Sequence, residues 1–228
     1  MFPSKTARYA MFGLIYFAEG AILSYFTSLN SLYLLSFDLT MSQVGLMGTI
    51  AIIPFIIKIF FGMFSDRFNL FHLGHRKPYI LFGLILQAAC LLVVPAIHPA
   101  DQFGWFALLA FVLMSGQALY DTCTDGLALD TTPAAEGGAI QGIMVGGRAL
   151  GVVLISATLG WIVQNLSWSG AFWLLAGLTL LPIPLVVLSK EPPRPAERRF
   201  EWKAFGAFKA KAVLALGALG ALYSLIIN

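Results

Sequence analysis

Seven apolar stretches, separated by short polar connections, run along the chain. They cover roughly residues 9–36, 41–65, 78–97, 104–128, 139–164, 170–189 and 208–228. A helix needs about 20 mostly apolar residues to cross the hydrocarbon of a bilayer, and the first six stretches reach that length. The seventh is uncharged only over residues 212–228, or about 25 Å of helix, which is short of a full crossing. The pattern predicts an all-α fold: a polytopic membrane helix bundle of six transmembrane helices plus the start of a seventh.

The polar connections divide the chain into three parts. Short connections lie at residues 38–40, 99–103 and 167–169, and longer polar ones at 66–77 and 190–209. We predict an N-terminal six-helix bundle over 1–189, a cytoplasmic linker over 190–207 and a truncated C-terminal bundle, the start of helix 7, over 208–228. The linker mixes basic and aromatic residues, which is typical of an amphipathic helix at a membrane surface. We prefer that interpretation to nucleic-acid binding.

The composition indicates that lipid surrounds these segments. Hydrophobic residues form 59% of the chain and charged residues 11%, whereas a soluble domain carries about 25% charged residues. Cys90 and Cys123 fall within apolar segments, so we interpret them as small buried hydrophobes and not as a disulfide. His72 and His75 stand beside cations, which argues against a metal site. With no hydrolytic triad or phosphate loop in the sequence, we expect neither enzymatic activity nor a cofactor.

The positions of the basic residues predict the orientation in the membrane. If the helices alternate, twelve of the 14 Lys and Arg residues fall on one side: Lys5, Arg8, Arg67, Arg76, Lys77, Lys190, Arg194, Arg198, Arg199, Lys203, Lys209 and Lys211. Because Lys and Arg are enriched in cytoplasmic loops, we predict a cytoplasmic N-terminus and a location in the cell membrane, the inner membrane in a bacterium. A seven-helix receptor, the alternative with an external N-terminus, conflicts with this distribution.

Five ionisable residues lie inside the predicted helices: Glu19, Lys58, Asp121, Asp125 and Arg148. They come from helices 1, 2, 4 and 5, which predicts that these four share a polar interior while helices 3 and 6 pack toward lipid. Three carboxylates against two cations leave one surplus negative charge, which takes up a proton or meets a cation. One such surplus carboxylate is the least that proton or cation coupling requires. The alternative is a purely structural network that locks the helices together.

Small residues and prolines predict local features of the helices. Helix 5 carries small residues at spacings typical of close helix contact: Gly142, Gly146, Gly147, Gly151, Ser156, Ala157 and Gly160. Pro54 in helix 2, and Pro182 and Pro184 in helix 6, predict kinks because proline removes a backbone hydrogen bond.

The connection between helices 2 and 3 reads GMFSDRFNLFHLGHRKPYI, residues 62–80. It resembles the cytoplasmic loop signature of the major facilitator superfamily, with a longer spacing between Asp66 and the second glycine. The matching positions are Gly62, Asp66, Arg67, Gly74, Arg76 and Lys77. Residues 15–20, 54–67, 120–130 and 146–151 look most similar to the branch of muropeptide permeases and folate–biopterin transporters.

The resemblance implies two six-helix bundles around a central cavity lined by helices 1, 2, 4 and 5 and their counterparts. It implies that the 62–77 motif makes cytoplasmic gate contacts between bundles. The chain is then expected to be an N-terminal half, with a missing C-terminal half or a second copy as its partner.

The sequence therefore predicts a secondary active transporter that works by alternating access. Lys58 and Arg148 are expected to attract a polar or anionic small solute, while Glu19, Asp121 and Asp125 tune them and offer a site for a coupled proton or cation, as in a symporter. The alternative is a non-transporting membrane assembly or pigment-delivery factor on the same fold.

Overall fold

The computed structural model describes residues 4–70, 74–191, 210–211, 214–215 and 219, apart from the side chains of residues 159 and 166. The chain divides into two compact units, Met1–Pro193 and Arg194–Asn228. In the second unit the described residues from Lys211 to Leu219 are helical. Most of the predicted linker and of the predicted seventh helix lies outside the described residues, as does His72, so those boundaries stay predictions.

Six helices in the described part of the chain are long and apolar enough to cross a membrane, which confirms the predicted number. In chain order the spans are Lys5–Leu35, Met41–Arg67, Lys77–Ala96, Phe103–Thr131, Ala134–Asn165 and Trp168–Leu188. Strands are absent from the described residues, and the all-α prediction is confirmed.

Three of the spans are interrupted helices. The helices, in chain order, are α1 (Lys5–Ser24), α2 (Asn30–Leu35), α3 (Met41–Ile56), α4 (Lys58–Arg67), α5 (Lys77–Val93), α6 (Phe103–Thr131), α7 (Gly137–Leu166), α8 (Trp168–Leu180) and α9 (Ile183–Leu188). A π-helical turn, Tyr25–Leu29, joins α1 to α2 within the first span. The second span breaks at Ile57, three residues after Pro54, and the sixth breaks near Pro182. The prolines of both spans therefore lie at or near interruptions, as predicted.

Glycines let the first and fifth spans pack backbone against backbone. A Cβ atom added at Gly20 would lie 2.1 Å from the Arg148 carbonyl oxygen, and one at Gly147 would lie 2.4 Å from that of Gly13. Gly151 approaches Phe17 in the same way. Such close approach is the ordinary use of small residues between membrane helices.

The other predicted small residues of helix 5 have different surroundings. At Gly142, Gly146 and Gly160 an added Cβ would have no neighbour within 4 Å. Ser156 instead shares a hydrogen bond of 2.8 Å with Ser24 on the first span. The small residues of α7 therefore make close helix contacts on one face only, and those on the opposite face have no neighbour among the described residues.

The most open spans are the second and the fifth, of which 17% and 18% are buried, against 50% for the third and 39% for the sixth. The expectation that helices 3 and 6 mainly face lipid is therefore incomplete, because each buries an apolar face within this bundle. Ile80 and Leu84 on the third span and Phe172 and Leu175 on the sixth are at most 2% exposed. The second and fifth spans instead form the open side of the bundle.

Two apolar clusters fill the interior at different depths. The distal cluster includes Tyr25, Tyr33, Phe106 and Phe172. The proximal cluster, nearer the end where the N-terminus and the 66–77 connection lie, includes Phe12, Ile15, Tyr79, Leu84 and Tyr120. Along the first, second and fifth spans the ionisable residues fall where one cluster gives way to the other. A polar layer therefore separates two apolar cores.

Candidate functional site

Four charged side chains from four spans meet in the polar layer, which we define as Glu19, Lys58, Asp121 and Arg148. Asp121 accepts a hydrogen bond from Lys58, with 3.1 Å between Nζ and Oδ2. Its other oxygen, Oδ1, lies 3.5 Å from Arg148 Nη2. The same Nη2 donates to Glu19 Oε1 at 2.6 Å. The structure thus brings together four of the five predicted intramembrane charges in one alternating chain of cations and carboxylates.

Burial differs sharply between the two kinds of charge. The side chains of Asp121 and Glu19 are 3% and 5% exposed, whereas those of Lys58 and Arg148 are 43% and 39% exposed. A buried carboxylate is tolerated where cations and hydrogen bonds compensate for its lost hydration. The carboxylates are therefore buried in the bundle, while the partly exposed cations lie on the second and fifth spans, the two most open spans.

Local helix structure places these groups. Gly20, next to Glu19, touches the backbone of Arg148, so the two ion-paired residues sit where the first and fifth spans are closest. Lys58 is the first residue of α4, directly after the break at Ile57. The break and the glycine contact together bring cations from two open spans to carboxylates on two buried ones.

Asp125, the fifth predicted residue, occupies a neighbouring position and binds differently. It accepts a short hydrogen bond from the Tyr16 hydroxyl, and within the described part of the chain no cation lies within salt-bridge distance of it. The Tyr16 ring also lies beneath the Arg148 guanidinium, 4.9 Å from its Cζ. Tyr16 therefore links Asp125 to the polar layer. The sequence analysis did not predict this role, although the position of Tyr16 one turn before Glu19 could have indicated it.

Several polar atoms near this site are buried without a hydrogen-bond partner among the described residues. They include Glu19 Oε2, Arg148 Nε and Tyr120 Oη. Burying a polar group without a partner costs free energy. One oxygen of the buried Glu19 carboxylate is therefore left without a hydrogen-bond partner among the described residues.

The predicted loop motif forms a second cluster at the proximal end of the bundle. Arg76 Nη2 lies 2.6 Å from Asp66 Oδ1, and its Nη1 donates to Ser65 Oγ at 2.8 Å. Ser65 in turn donates to the Gly62 carbonyl at 2.8 Å. The motif therefore joins the end of the second span to Arg76, which directly precedes the third span and lies 10 or 11 positions along the sequence from its two partners.

The remaining motif residues have distinct surroundings. Gly74 has a φ of 117°, a conformation that side chains other than glycine rarely adopt. Lys77 reaches the end of the sixth span, where its Nζ donates to the carbonyls of Val187 and Ser189 at 2.5 and 2.8 Å. The Arg67 guanidinium lies over the Phe68 ring at 5.7 Å. All these contacts are within this bundle, so contacts to another bundle stay a prediction.

Glu191, which the sequence did not single out, accepts hydrogen bonds from the backbone of residues 75–77. Glu136 was likewise missed. It forms an ion pair with Arg8, lies 3.2 Å from Lys5 Nζ and accepts from the Tyr9 hydroxyl at 3.0 Å. Glu136 lies at the start of the fifth span and Glu191 just after the sixth. Charged residues are ordinary at such positions, so the sequence gives no sign that either carboxylate has a distant partner.

Among the residues the structure describes, no three His, Cys, Asp or Glu side chains form a group suited to a metal ion. The charged side chains of the polar layer are two carboxylates and two cations.

Comparison with known proteins agrees with the family resemblance of the 62–80 motif. The sequence model of the Major Facilitator Superfamily matches residues 12–228. Anhydromuropeptide permeases of Escherichia coli K12 and of Escherichia coli O157:H7 are each 30% identical to the chain over 139 residues. That match covers 60% of this chain and 28% of each relative.

Proposed function

This chain belongs to the major facilitator superfamily, and on that premise we propose that it forms the N-terminal bundle of a secondary active transporter. The family match and the six spans make it a multi-pass membrane protein. Alternating access requires two bundles that rock about one site. The open faces of the second and fifth spans support a second bundle as the partner, whether a C-terminal half or another copy.

The solute we propose is anionic. The observation that carries this proposal is the polar layer itself, in which two partly exposed cations lie on the open second and fifth spans while their carboxylate partners are buried. Arg and Lys at such a place bind carboxylate or phosphate groups. The similarity to anhydromuropeptide permeases supports an anhydromuropeptide as the specific candidate.

The coupled ion we propose is a proton or another cation. Lys58 and Arg148 compensate two of the three carboxylates, and Asp125 has a hydroxyl partner in place of a cation. An anionic solute that binds the two cations competes with Asp121 for both. A proton on the released carboxylate would keep the layer near neutrality, which ties solute binding to proton uptake.

The orientation we propose places the proximal end in the cytoplasm. The concentration of Lys and Arg at the N-terminus, in the 66–77 connection and after the sixth span supports it. The location we propose is the cell membrane, the inner membrane if the source is bacterial.

Uptake of a labelled anhydromuropeptide by the full-length protein in proteoliposomes tests the site. We expect Lys58→Met and Arg148→Met to lower kcat/KM at least tenfold, because each removes a cation that attracts the solute. Asp121→Asn should retain solute exchange but lose accumulation driven by a proton gradient. The matched control is Lys5→Met, a cation that is 60% exposed outside the polar layer.

Uptake at the wild-type rate by both Met variants would contradict the site. Accumulation without any proton movement in the wild type would contradict proton coupling. If paired apolar replacement of Lys58 and Asp121 left the cellular function intact and no solute moved, the assembly-factor alternative would be favoured.

A further inference from the structure

Glu191 caps the start of the third span from a position 114 residues or more along the chain. Its Oε1 accepts from the His75 backbone N–H at 2.9 Å, and its Oε2 accepts from Arg76 and Lys77 at 2.9 and 3.1 Å. The first N–H groups of a helix have no partner within it and prefer a negative charge. One carboxylate therefore satisfies three consecutive donors at the entry to α5.

Lys77 makes a matching contact with the C-terminal end of α9. Its ammonium group donates to carbonyls at the end of α9, those of Val187 and Ser189, which lack helical partners for the same reason. We call this pair of caps, Glu191 on residues 75–77 and Lys77 on 187–189, the reciprocal cap. An added Cβ at Gly74 would lie 2.3 Å from Glu191 Oε2, so glycine at this position is what allows the carboxylate to approach.

The capped segment carries Arg76, which reaches into the bundle. Arg76 is 7% exposed and binds Asp66 and Ser65. Its guanidinium also covers Gly126 on the fourth span, where an added Cβ would lie 2.5 Å from Arg76 Cζ. The Arg76 side chain thus connects the second, third and fourth spans, and its own backbone N–H is held by Glu191.

We propose that Glu191 is a positioning residue for the loop motif: it orders residues 74–77, and Arg76 closes the proximal end of the bundle only while Glu191 holds that segment. The proposal concerns the gate and not the solute, so it does not depend on which substrate is carried. Glu191 acts through Arg76, which distinguishes this role from that of a simple helix cap.

Cys123 is a native reporter beneath Arg76. The thiol lies beside Ser65 and Arg76 and is fully buried. Its reaction with N-ethylmaleimide therefore reports opening of the Arg76 contacts. Cys90 is also buried, at 6% exposure, but belongs to the distal cluster and serves as the internal reference. Peptide mass spectrometry of the protein in lipid nanodiscs measures both labelling rates at once.

We expect Glu191→Ala to raise the labelling rate of Cys123 about tenfold, a size typical of losing a helix cap, and to leave Cys90 unchanged. Glu191→Gln, which keeps the shape and one acceptor oxygen, should give an intermediate rate. The matched control is Glu136→Ala, which removes a proximal carboxylate that does not touch residues 75–77. It should leave Cys123 at the wild-type rate.

A double-mutant cycle tests the dependence on Arg76. Arg76→Ala alone should raise Cys123 labelling, and adding Glu191→Ala should then change it less than about twofold, because residues that act in one network are not additive. An unchanged Cys123 rate in Glu191→Ala, a parallel rise at Cys90, or multiplied effects in the double variant would each overturn the proposal. None of these outcomes depends on transport, so they are separate from a failure of the proposed function.

Discussion

Asp121 is the residue on which the polar layer depends, because it is almost fully buried and shared by two cations from different spans. Glu19 touches only Arg148 among the described charges of the layer, and Lys58 touches only Asp121. Removal of Asp121 would therefore separate Lys58 from Arg148 and Glu19.

We expect Lys58→Met to destabilise the bundle more than the double variant Lys58→Met/Asp121→Leu does. The single change leaves a buried carboxylate with a weaker partner 3.5 Å away, which costs about 1–2 kcal/mol, less than for a fully buried pair because Lys58 is partly hydrated. The double change removes the buried charge as well. Thermal unfolding in detergent measures the difference, and equal or additive losses would contradict a direct pair.

Residues that depend on pairing inside lipid were predictable from the sequence. A charged side chain is costly in hydrocarbon and is stabilised by a partner inside the bundle, so Glu19, Lys58, Asp121 and Arg148 were expected to meet. Tyr16, Glu136 and Glu191 were not predicted. Tyr16 is an uncharged residue in an apolar stretch, and the two glutamates lie in polar parts of the sequence, where a charge is ordinary. Only the packed fold shows those partners.

At the scale of the element, the contact between the first and fifth spans explains how Glu19 and Arg148 come together. It is made by backbone at Gly13, Gly20, Gly147 and Gly151. The distance between these two helices therefore depends on the absence of side chains, and the ion pair depends on that distance.

Gly20→Ala should destabilise the protein by about 3 kcal/mol or more, because the new methyl group would overlap the Arg148 carbonyl and force the helices apart. Gly146→Ala is the matched control on α7, since its Cβ would meet nothing within 4 Å. It should be neutral or slightly stabilising, because alanine favours helix. Thermal stability in detergent separates the two, and similar behaviour of both variants would refute the contact.

The elements themselves were largely predictable. Predicted stretches such as 41–65 and 170–189 agree within about two residues with the observed spans, since hydropathy alone sets the length of a membrane helix. The prolines indicated where the second and sixth spans would break. The π-helical turn at Tyr25–Leu29 was not expected, because its residues include neither proline nor glycine.

At the scale of the whole molecule, the bundle has one side much more open than the others. The charge pattern predicted that helices 2 and 5 contribute to the polar interior. It did not predict that the same two helices also form the open side of the bundle. A charged residue can be reached from that side and still be held by buried carboxylates. Burial of a span and polarity of its residues are therefore separate properties.

A photo-crosslinking residue in place of Val153, 63% exposed on the fifth span, should capture the proposed second bundle in the full-length protein. Trp173, 57% exposed on the sixth span, is the control position and should capture lipid, because the proposed partner covers the second and fifth spans and not the sixth. Mass spectrometry of the adducts identifies each product. Lipid adducts alone at position 153 would contradict the proposed partner.

The ion pair between Glu19 and Arg148 also has a consequence for biosynthesis. The two residues are 129 positions apart, and chains grow at about 5–20 residues per second, so on the order of ten seconds pass between their emergence from the ribosome. During that interval the first span enters the membrane without its guanidinium partner. The nascent protein must therefore shelter a carboxyl group, by a proton or by the insertion machinery, until the fifth span arrives.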